Sequence, residues 1–171
     1  MVDQLVSIII PTYNRKEKLL LTINSVIMQS WENIEIIIID DCSDDGTQKV
    51  VKSINDKRIV YELLPNNKGC AFAREFGIKI SKGNFIAFID DDDCWEHEYV
   101  KNMLDIFNAN PTINFVLSDY YLINDKNKIL CSMFKYVKNY NYNIHLLPGP
   151  FFQCSMLSKN ILYNPSDLFD Y

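Results

Sequence analysis

The chain has 171 residues, 48% hydrophobic and 23% charged, with 17 Lys and Arg against 22 Asp and Glu and a net charge of -5. This is the composition of one globular domain with one sizeable core. The acidic balance, without a dense basic run, excludes nucleic acid as a main partner, because neutralising phosphates needs a basic face. Five cysteines, Cys42, Cys70, Cys94, Cys131 and Cys154, are odd in number and form no Cys-x-x-Cys pair, which fits a reducing compartment. Met1 to Gln4 lead straight into strand-like residues, so no signal peptide is read there, and no apolar run approaches the roughly 18 residues that cross a bilayer. A cytoplasmic chain is expected, and peripheral attachment to the inner face of the membrane is compatible with it.

The first expected strand is Leu5 to Ile10, stopped by Pro11, and the turn Pro11-Thr12-Tyr13-Asn14-Arg15 leads into a helix over 16–30. Leu19, Leu20, Ile23, Val26 and Ile27 share one face of that helix. Ile34 to Ile39 is a second strand, five isoleucines interrupted by Glu35, ending in Asp40-Asp41. Ser43 to Thr47 supply a turn and a helix start, with Val50, Val51 and Ile54 on the apolar face. Ile59 to Leu63 is a third strand, Pro65 to Gly69 a loop, and a helix over 70–81 turns Phe72, Ala73, Phe76 and Ile80 inward. Gly83 ends it. A fourth strand, Phe85 to Ile89, precedes a helix over 98–108 carrying Val100, Met103, Leu104 and Phe107, with Pro111 as a stop.

Four strand–helix units in succession predict a doubly wound, mostly parallel α/β sheet. Beyond Phe115 to Ser118 the texture changes, and 120–123, 128–131 and 136–142 read as short strands and loops of a small antiparallel addition.

The fourth strand ends in Asp90, Asp91, Asp92 and Asp93. Four carboxylates at one strand terminus repel one another unless a cation or strong donors compensate them. Oxygen ligands suit Mn²⁺ or Mg²⁺, and Mg²⁺ is commonly held by one or two carboxylates plus substrate phosphates. The plain alternative is a solvated acidic loop. Strand ends at Pro11, Asp40 and Asp90 would converge on one edge of a parallel sheet, where α/β proteins bind ligands. Neither a Gly-x-Gly-x-x-Gly turn nor a P-loop is present, so phosphate must be held another way.

The opening Val6-Ser7-Ile8-Ile9-Ile10-Pro11-Thr12-Tyr13-Asn14-Arg15, the turn Ile39 to Thr47, the helix motif Asn67-x-Gly69-x-x-x-Ala73-Arg74-x-x-Gly77-Ile78 and the run Gly83 through Asp90-x-Asp92-Asp93-x-Trp95 resemble family 2 glycosyltransferases of the GT-A fold. The four motifs cover residues 5 to 110 in the right order. Glu75 departs from the Asn common in the family, and Asp91 fills the variable middle position of the acidic signature.

The resemblance implies a metal-dependent, inverting transfer of a sugar from a nucleotide-diphospho-sugar, a UDP-sugar first of all, to a saccharide or glycolipid acceptor. It places Pro11, Thr12, Tyr13, Asn14, Arg15, Asp40, Asp41, Lys68, Gly69, Arg74, Asp90 and Asp91 around the nucleotide-sugar. Asp41 would accept from the uracil imide, and Arg15 and Arg74 would lie near ribose or diphosphate. Asp92, with Asp90 on the sugar-ribose side, would hold Mn²⁺ or Mg²⁺. The chain is then expected to be a single GT-A domain truncated at its C-terminus, with 1–110 the nucleotide-sugar-binding part and 111–171 the start of the acceptor side. The general base is expected beyond Tyr171, with Asp167 and Asp170 as substitutes.

Rival readings have their own residues. A haloacid-dehalogenase-like phosphohydrolase would use Asp90 and Asp92, but Cys94 replaces the Thr of its motif. A receiver-like switch needs its acidic pair after the first strand, and here the pair follows the second. A catalytically silent donor-binding module fits the same motifs. Asp41-x-Ser43-x-Asp45-Gly46 imitates a calcium loop, but Lys52 stands where that loop needs Glu. Trp95 and Tyr99 read as packing residues, His97 as an exposed helix-start residue, and Cys94 and Cys154 as buried thiols.

Overall fold

The computed structural model describes residues 4–124, 129–132 and 155–159. Strands β1 (Val6–Thr12) and β2 (Ile34–Asp40) are buried along their whole length. β3 (Ile59–Leu63) and β4 (Phe85–Phe88) pair beside them in parallel. Helices α1 (Lys16–Ile27), α2 (Thr47–Lys52) and α3 (Cys70–Ile80) connect these strands, and α4 (Tyr99–Ala109) follows β4. Beyond them lie β5 (Phe115–Leu117), β6 (Tyr121–Ile123), β7 (Ile129–Ser132) and β8 (Ser155–Ser158).

The main sheet runs β3-β2-β1-β4-β8-β5, with β8 antiparallel to both β4 and β5. β6 and β7 form a separate antiparallel pair. This is the expected mostly parallel α/β architecture with a small antiparallel addition. The insertion of β8 between β4 and β5 has no counterpart in the sequence expectations. The stretch 136–142, His145, Cys154, Asp167 and Asp170 lie outside the described residues.

Runs of isoleucine make sense where both faces of a sheet are covered. Val6, Ile8 and Ile10 pack with Leu19, Ile23 and Val26 of α1 and with Val100, Met103 and Leu104 of α4. Ile9, Ile37, Ile39, Ile86 and Phe88 face Ala73 and Ile78 of α3 on the other side. Each such side chain taken out of water stabilises by about 1.5–3 kcal/mol.

One local expectation is corrected. Pro11 does not stop β1, which continues to Thr12. Thr12 O accepts from Asp41 N on the β2 side and Ile9 O from Ile89 N on the β4 side, so alternation directs the N–H that Pro11 lacks toward β4. β4 ends at Phe88, so no ladder bond is lost there. On α3, Phe72, Ala73, Phe76 and Ile80 pack on the core as expected, the aromatic rings and Ile80 only partly buried, and the most buried stripe is Ala73, Arg74, Gly77 and Ile78. Small residues let the helix approach the sheet: a Cβ on Gly77 would stand 2.6 Å from Ile9 Cγ2.

Glu35, the polar interruption of β2, is buried with purpose. Its Oε1 accepts from Ser7 Oγ at 2.5 Å, Lys82 N at 2.6 Å and Gly83 N at 3.1 Å, which fixes the entry to β4. Gln29 does similar work beyond α1: it donates to Glu96 O at 2.8 Å and accepts from Val100 N at 3.0 Å, setting the start of α4.

Candidate active site

The strand order places β1 between β2 and β4, so the turns after these three strands meet at the carboxyl edge of the sheet, at its topological switch point. They enclose a cleft of about 300 Å³. Pro11, Thr12, Tyr13 and Arg15 line it from the first turn and Asp41 from the second, with Cys70 and Arg74 from α3 and Asp90 and Asp91 from the fourth. Tyr13 is 46% exposed and offers a ring to whatever enters.

The first and second turns are clasped together. Asn14 adopts a left-handed φ of 52°, which Asn tolerates well. Its N–H donates to Ser43 Oγ at 2.8 Å and its Oδ1 accepts from Asp44 N at 2.9 Å. Asp45 accepts from Lys16 N, Thr47 N and Thr47 Oγ1, so the carboxylate of the calcium-loop lookalike is engaged in holding two helix starts.

Asp40 and Asp41 have separate tasks. Asp40 is fully buried, accepting Ser43 N–H at 2.8 Å and the Tyr61 hydroxyl at 2.5 Å, and it is not among the residues lining the cleft. Burial, and then the Asp40 contact, hold the Tyr61 phenol above its ordinary range. Asp41 does line the cleft. Its two oxygens accept the backbone N–H groups of Lys68 and Gly69, each at 2.7 Å, which pins the loop before α3. A carboxylate has about four lone-pair sites, so Asp41 retains accepting capacity. Lys68 and Gly69 therefore serve through their backbone, with the Lys68 ammonium 4.3 Å from the Phe72 ring centroid.

The four aspartates diverge. Asp90 Oδ1 accepts from Arg74 Nη2 at 2.6 Å, and the Arg74 side chain is 10% exposed. Arg74 Nε is buried without a hydrogen-bond partner among the described residues, at the wall of the cleft. Asp91 accepts from Thr12 Oγ1 at 2.7 Å and pairs with Arg15 at 3.1 Å. Burial pushes its carboxyl up from the ordinary range, against the Thr12 hydrogen bond and the Arg15 charge. Asp92 lies at the rim, 34% exposed, with Arg15 at 3.0 Å and Lys18 at 3.2 Å. Asp93 is pushed up to about 6 by burial first and then by the other three aspartates. Its main-chain oxygen accepts from Thr22 Oγ1 of α1 at 2.8 Å.

A divalent ion is implied by the resemblance, and the donor chemistry fits one. Asp90 and Asp92 present hard oxygens at the cleft and its rim, in a loop whose crowded carboxylates call for positive charge. Among the described residues no group of three ligating side chains stands ready to hold a metal. The two acids would share an ion with phosphate oxygens rather than enclose it.

The remaining expectations divide. Trp95 and Tyr99 stack with ring centroids 4.2 Å apart and pack against the core, as expected of packing residues. His97 is exposed at the start of α4, with Nδ1 against Met28 O. Cys94 is a correction: it is exposed, because the loop that carries it turns out to solvent. Cys70 and Lys18 were missed as site residues. Cys70 could have been read from its place directly after Gly69, at the start of a helix pointing to the cleft. Lys18 carries no sequence signal, since a lysine early in an amphipathic helix reads as solvated.

The fold is shared with solved structures. Staphylococcus aureus TarS 1-349 superposes with a TM-score of 0.76 at 24% identity, over 96% of this chain and 49% of that one, and has been crystallised with UDP-GlcNAc. The mannosyltransferase PcManGT from Pyrobaculum calidifontis, solved with GDP-Man and Mn²⁺, superposes with a TM-score of 0.61 at 21% identity, over 71% of this chain and 36% of that one. These define the class as a GT-A-type α/β fold with its cleft at the strand carboxyl ends.

The family model described as Glycosyl transferase family 2 matches residues 7–164, and the chain belongs to that family. The Escherichia coli protein named UDP-Glc:alpha-D-GlcNAc-diphosphoundecaprenol beta-1,3-glucosyltransferase WfaP is 39% identical over 145 residues, 84% of this chain and 56% of its own length. The chain thus spans about half the length of the curated relatives it matches.

Proposed function

We propose that this chain is the nucleotide-sugar-binding part of a glycosyltransferase that moves a sugar from a UDP-sugar to a saccharide or lipid-linked acceptor hydroxyl, with inversion and with Mn²⁺ or Mg²⁺. The observation that carries the reading is the meeting of Asp41, Arg74 and Asp90 in one cleft at the switch point of the sheet, with Asp92 at its rim. Asp41, already held by two N–H groups, accepts a further one from the uracil imide. Tyr13 packs on the base. Arg74, which lines the cleft, brings positive charge to the diphosphate or ribose, and Asp90 and Asp92 hold the ion. A divalent cation bound there offsets charge on the departing diphosphate.

Direct displacement at the anomeric carbon also needs a carboxylate to take the acceptor proton. Asp167 and Asp170 lie outside the described residues, and the residues lining the cleft already have donor-side roles. The WfaP name supports a sugar diphosphate on a polyprenol as acceptor class, which would bring the chain to the inner membrane surface. Among the described residues no helix is long and apolar enough to cross a membrane.

Calorimetric titration with UDP, GDP, CDP and ADP, each with and without Mn²⁺, tests the reading. Metal-dependent UDP binding is expected. Asp92→Ala should abolish the Mn²⁺-dependent part with the melting temperature unchanged, and unaltered binding would remove the metal assignment. Asp41→Ala should weaken uridine nucleotides far more than purine ones, and equal losses would refute its base-reading role.

A further inference from the structure

Two side-chain cations converge on one oxygen of Asp92. Arg15 Nη1 lies 3.0 Å and Lys18 Nζ 3.2 Å from the same Asp92 Oδ2, and Arg15 Nη1 also lies 3.1 Å from Asp91 Oδ1. Arg15 is the residue just before α1 and Lys18 lies in its first turn, so both cations come from the same end of the helix. Neither is buried: the side chains are 51% and 61% exposed, so both are free to change partners. The acid they share is one of the two assigned above to the divalent ion.

We infer that Arg15 and Lys18 are exchangeable counter-charges: they pair with Asp92, and when a nucleoside diphosphate enters they release that acid and turn to the phosphate oxygens. The inference rests on the donor-site reading above and adds Lys18 to it as a positioning residue. A divalent ion arriving alone meets two cations within hydrogen-bond distance of its ligand and is disfavoured by their charge. A diphosphate reverses this, because it offers both cations charge-assisted hydrogen bonds. The two pairs to Asp92 are exposed and cost little to break. Arg15 also leaves the buried Asp91, which keeps the Thr12 hydroxyl as a donor, so the exchange is freer for Lys18 than for Arg15. The ion and the nucleotide then bind cooperatively, and by linkage each strengthens the other by the same factor. Arg15 also keeps Asp91 paired, whereas Lys18 contacts only Asp92 in the acidic loop, which makes Lys18 the cleaner probe.

The test measures binding of Mn²⁺ alone, UDP alone and both together, by calorimetry and by the electron paramagnetic resonance signal of free Mn²⁺. The proteins are the full chain, Lys18→Met, Arg15→Met and the charge control Lys16→Met. Lys16 Nζ donates to Asp45 O and lies 3.9 Å from Glu17, away from the acidic loop, so its removal reports only the general loss of one positive charge. Lys18→Met is expected to tighten Mn²⁺ alone by about threefold to tenfold and to cut the mutual strengthening of Mn²⁺ and UDP by at least about fivefold. Arg15→Met should act in the same direction, and Lys16→Met should change either quantity by less than about twofold.

If Lys18→Met and Arg15→Met behave like Lys16→Met while the unaltered chain still couples Mn²⁺ to UDP, the exchange is overturned and the donor site stands. If Mn²⁺ and UDP bind the unaltered chain independently of each other, the metal assignment fails and the exchange falls with it. Melting temperatures of the variants separate these outcomes from loss of fold.

Discussion

Asp93 sits among three other carboxylates, and its carboxyl is raised to about 6 from an ordinary value of 3.8. A raised carboxyl binds its proton more tightly in the folded chain than in the unfolded one. Between about pH 4 and pH 6 the folded state therefore holds more protons, and stability falls as pH rises through that window. Above it the full penalty remains. Because Asp93 is only partly buried and solvent screens the repulsion, Asp93→Asn is expected to stabilise the chain by about 1 kcal/mol near neutral pH, with the gain fading on acidification toward about pH 4. Urea unfolding at both ends of that range checks this, and an equal gain at both would show that the benefit is not ionic. Asp40 and Asp41 make the same point differently. Adjacent in sequence, they are set apart by one turn of backbone, so that one is consumed by Tyr61 and Ser43 and the other faces the cleft.

At the scale of elements, the placing of β4 depends on a small polar anchor at its start. Glu35 accepts from Ser7 and from the backbone of Lys82 and Gly83, and Gly83 N also donates to Ser7 Oγ. A Cβ on Gly83 would come within 2.6 Å of Ser7 Oγ, 2.7 Å of Leu5 O and 2.8 Å of Ser7 N. Two of these are backbone atoms at the start of the adjacent strand β1 and cannot give way. Gly83→Ala should destabilise by about 3 kcal/mol or more, and Glu35→Ala by about 2–3 kcal/mol, since the Ser7 hydroxyl and Lys82 N–H lose their acceptor while Gly83 N keeps Ser7 Oγ. Thermal unfolding checks both, and a Gly83→Ala loss under about 1 kcal/mol would show that the anchor yields. Because β4 carries the acidic loop, Gly83→Ala is also expected to weaken nucleotide binding from the far end of the strand.

For the molecule as a whole, the consequential feature is that Ser155–Ser158 pairs with both Phe85–Phe88 and Phe115–Leu117. The proposed division into a nucleotide-binding part over 1–110 and an acceptor side over 111–171 is one of function, since the sheet needs a strand from the second part to cover the edge of the first. A chain ended at Asn124 would leave Phe85 to Phe88 as an open strand edge and Met156 and Leu157 missing from the two cores. It is expected to lose cooperative thermal unfolding and to bind a hydrophobic dye. A sharp transition like that of the full chain would show the first part to be self-sufficient.

The sequence alone determined what depends on neighbours along the chain. Isoleucine runs fixed the buried parallel strands, their spacing implied crossover helices, and the motifs around Pro11, Asp41, Arg74 and Asp90 marked the strand ends that would converge. These follow from local sterics, periodicity and chain direction, which short windows of residues carry. The tertiary structure decided which partners those residues take from far away: Glu35 with Gly83, Arg74 with Asp90, Lys18 with Asp92, and a four-residue strand near the end of the chain slotted beside β4. The physical reason is that a short strand, or a lone charged side chain, has too little local preference to declare its role. Its environment is set by packing groups up to about 80 residues apart, and only the assembled sheet brings them within hydrogen-bond reach.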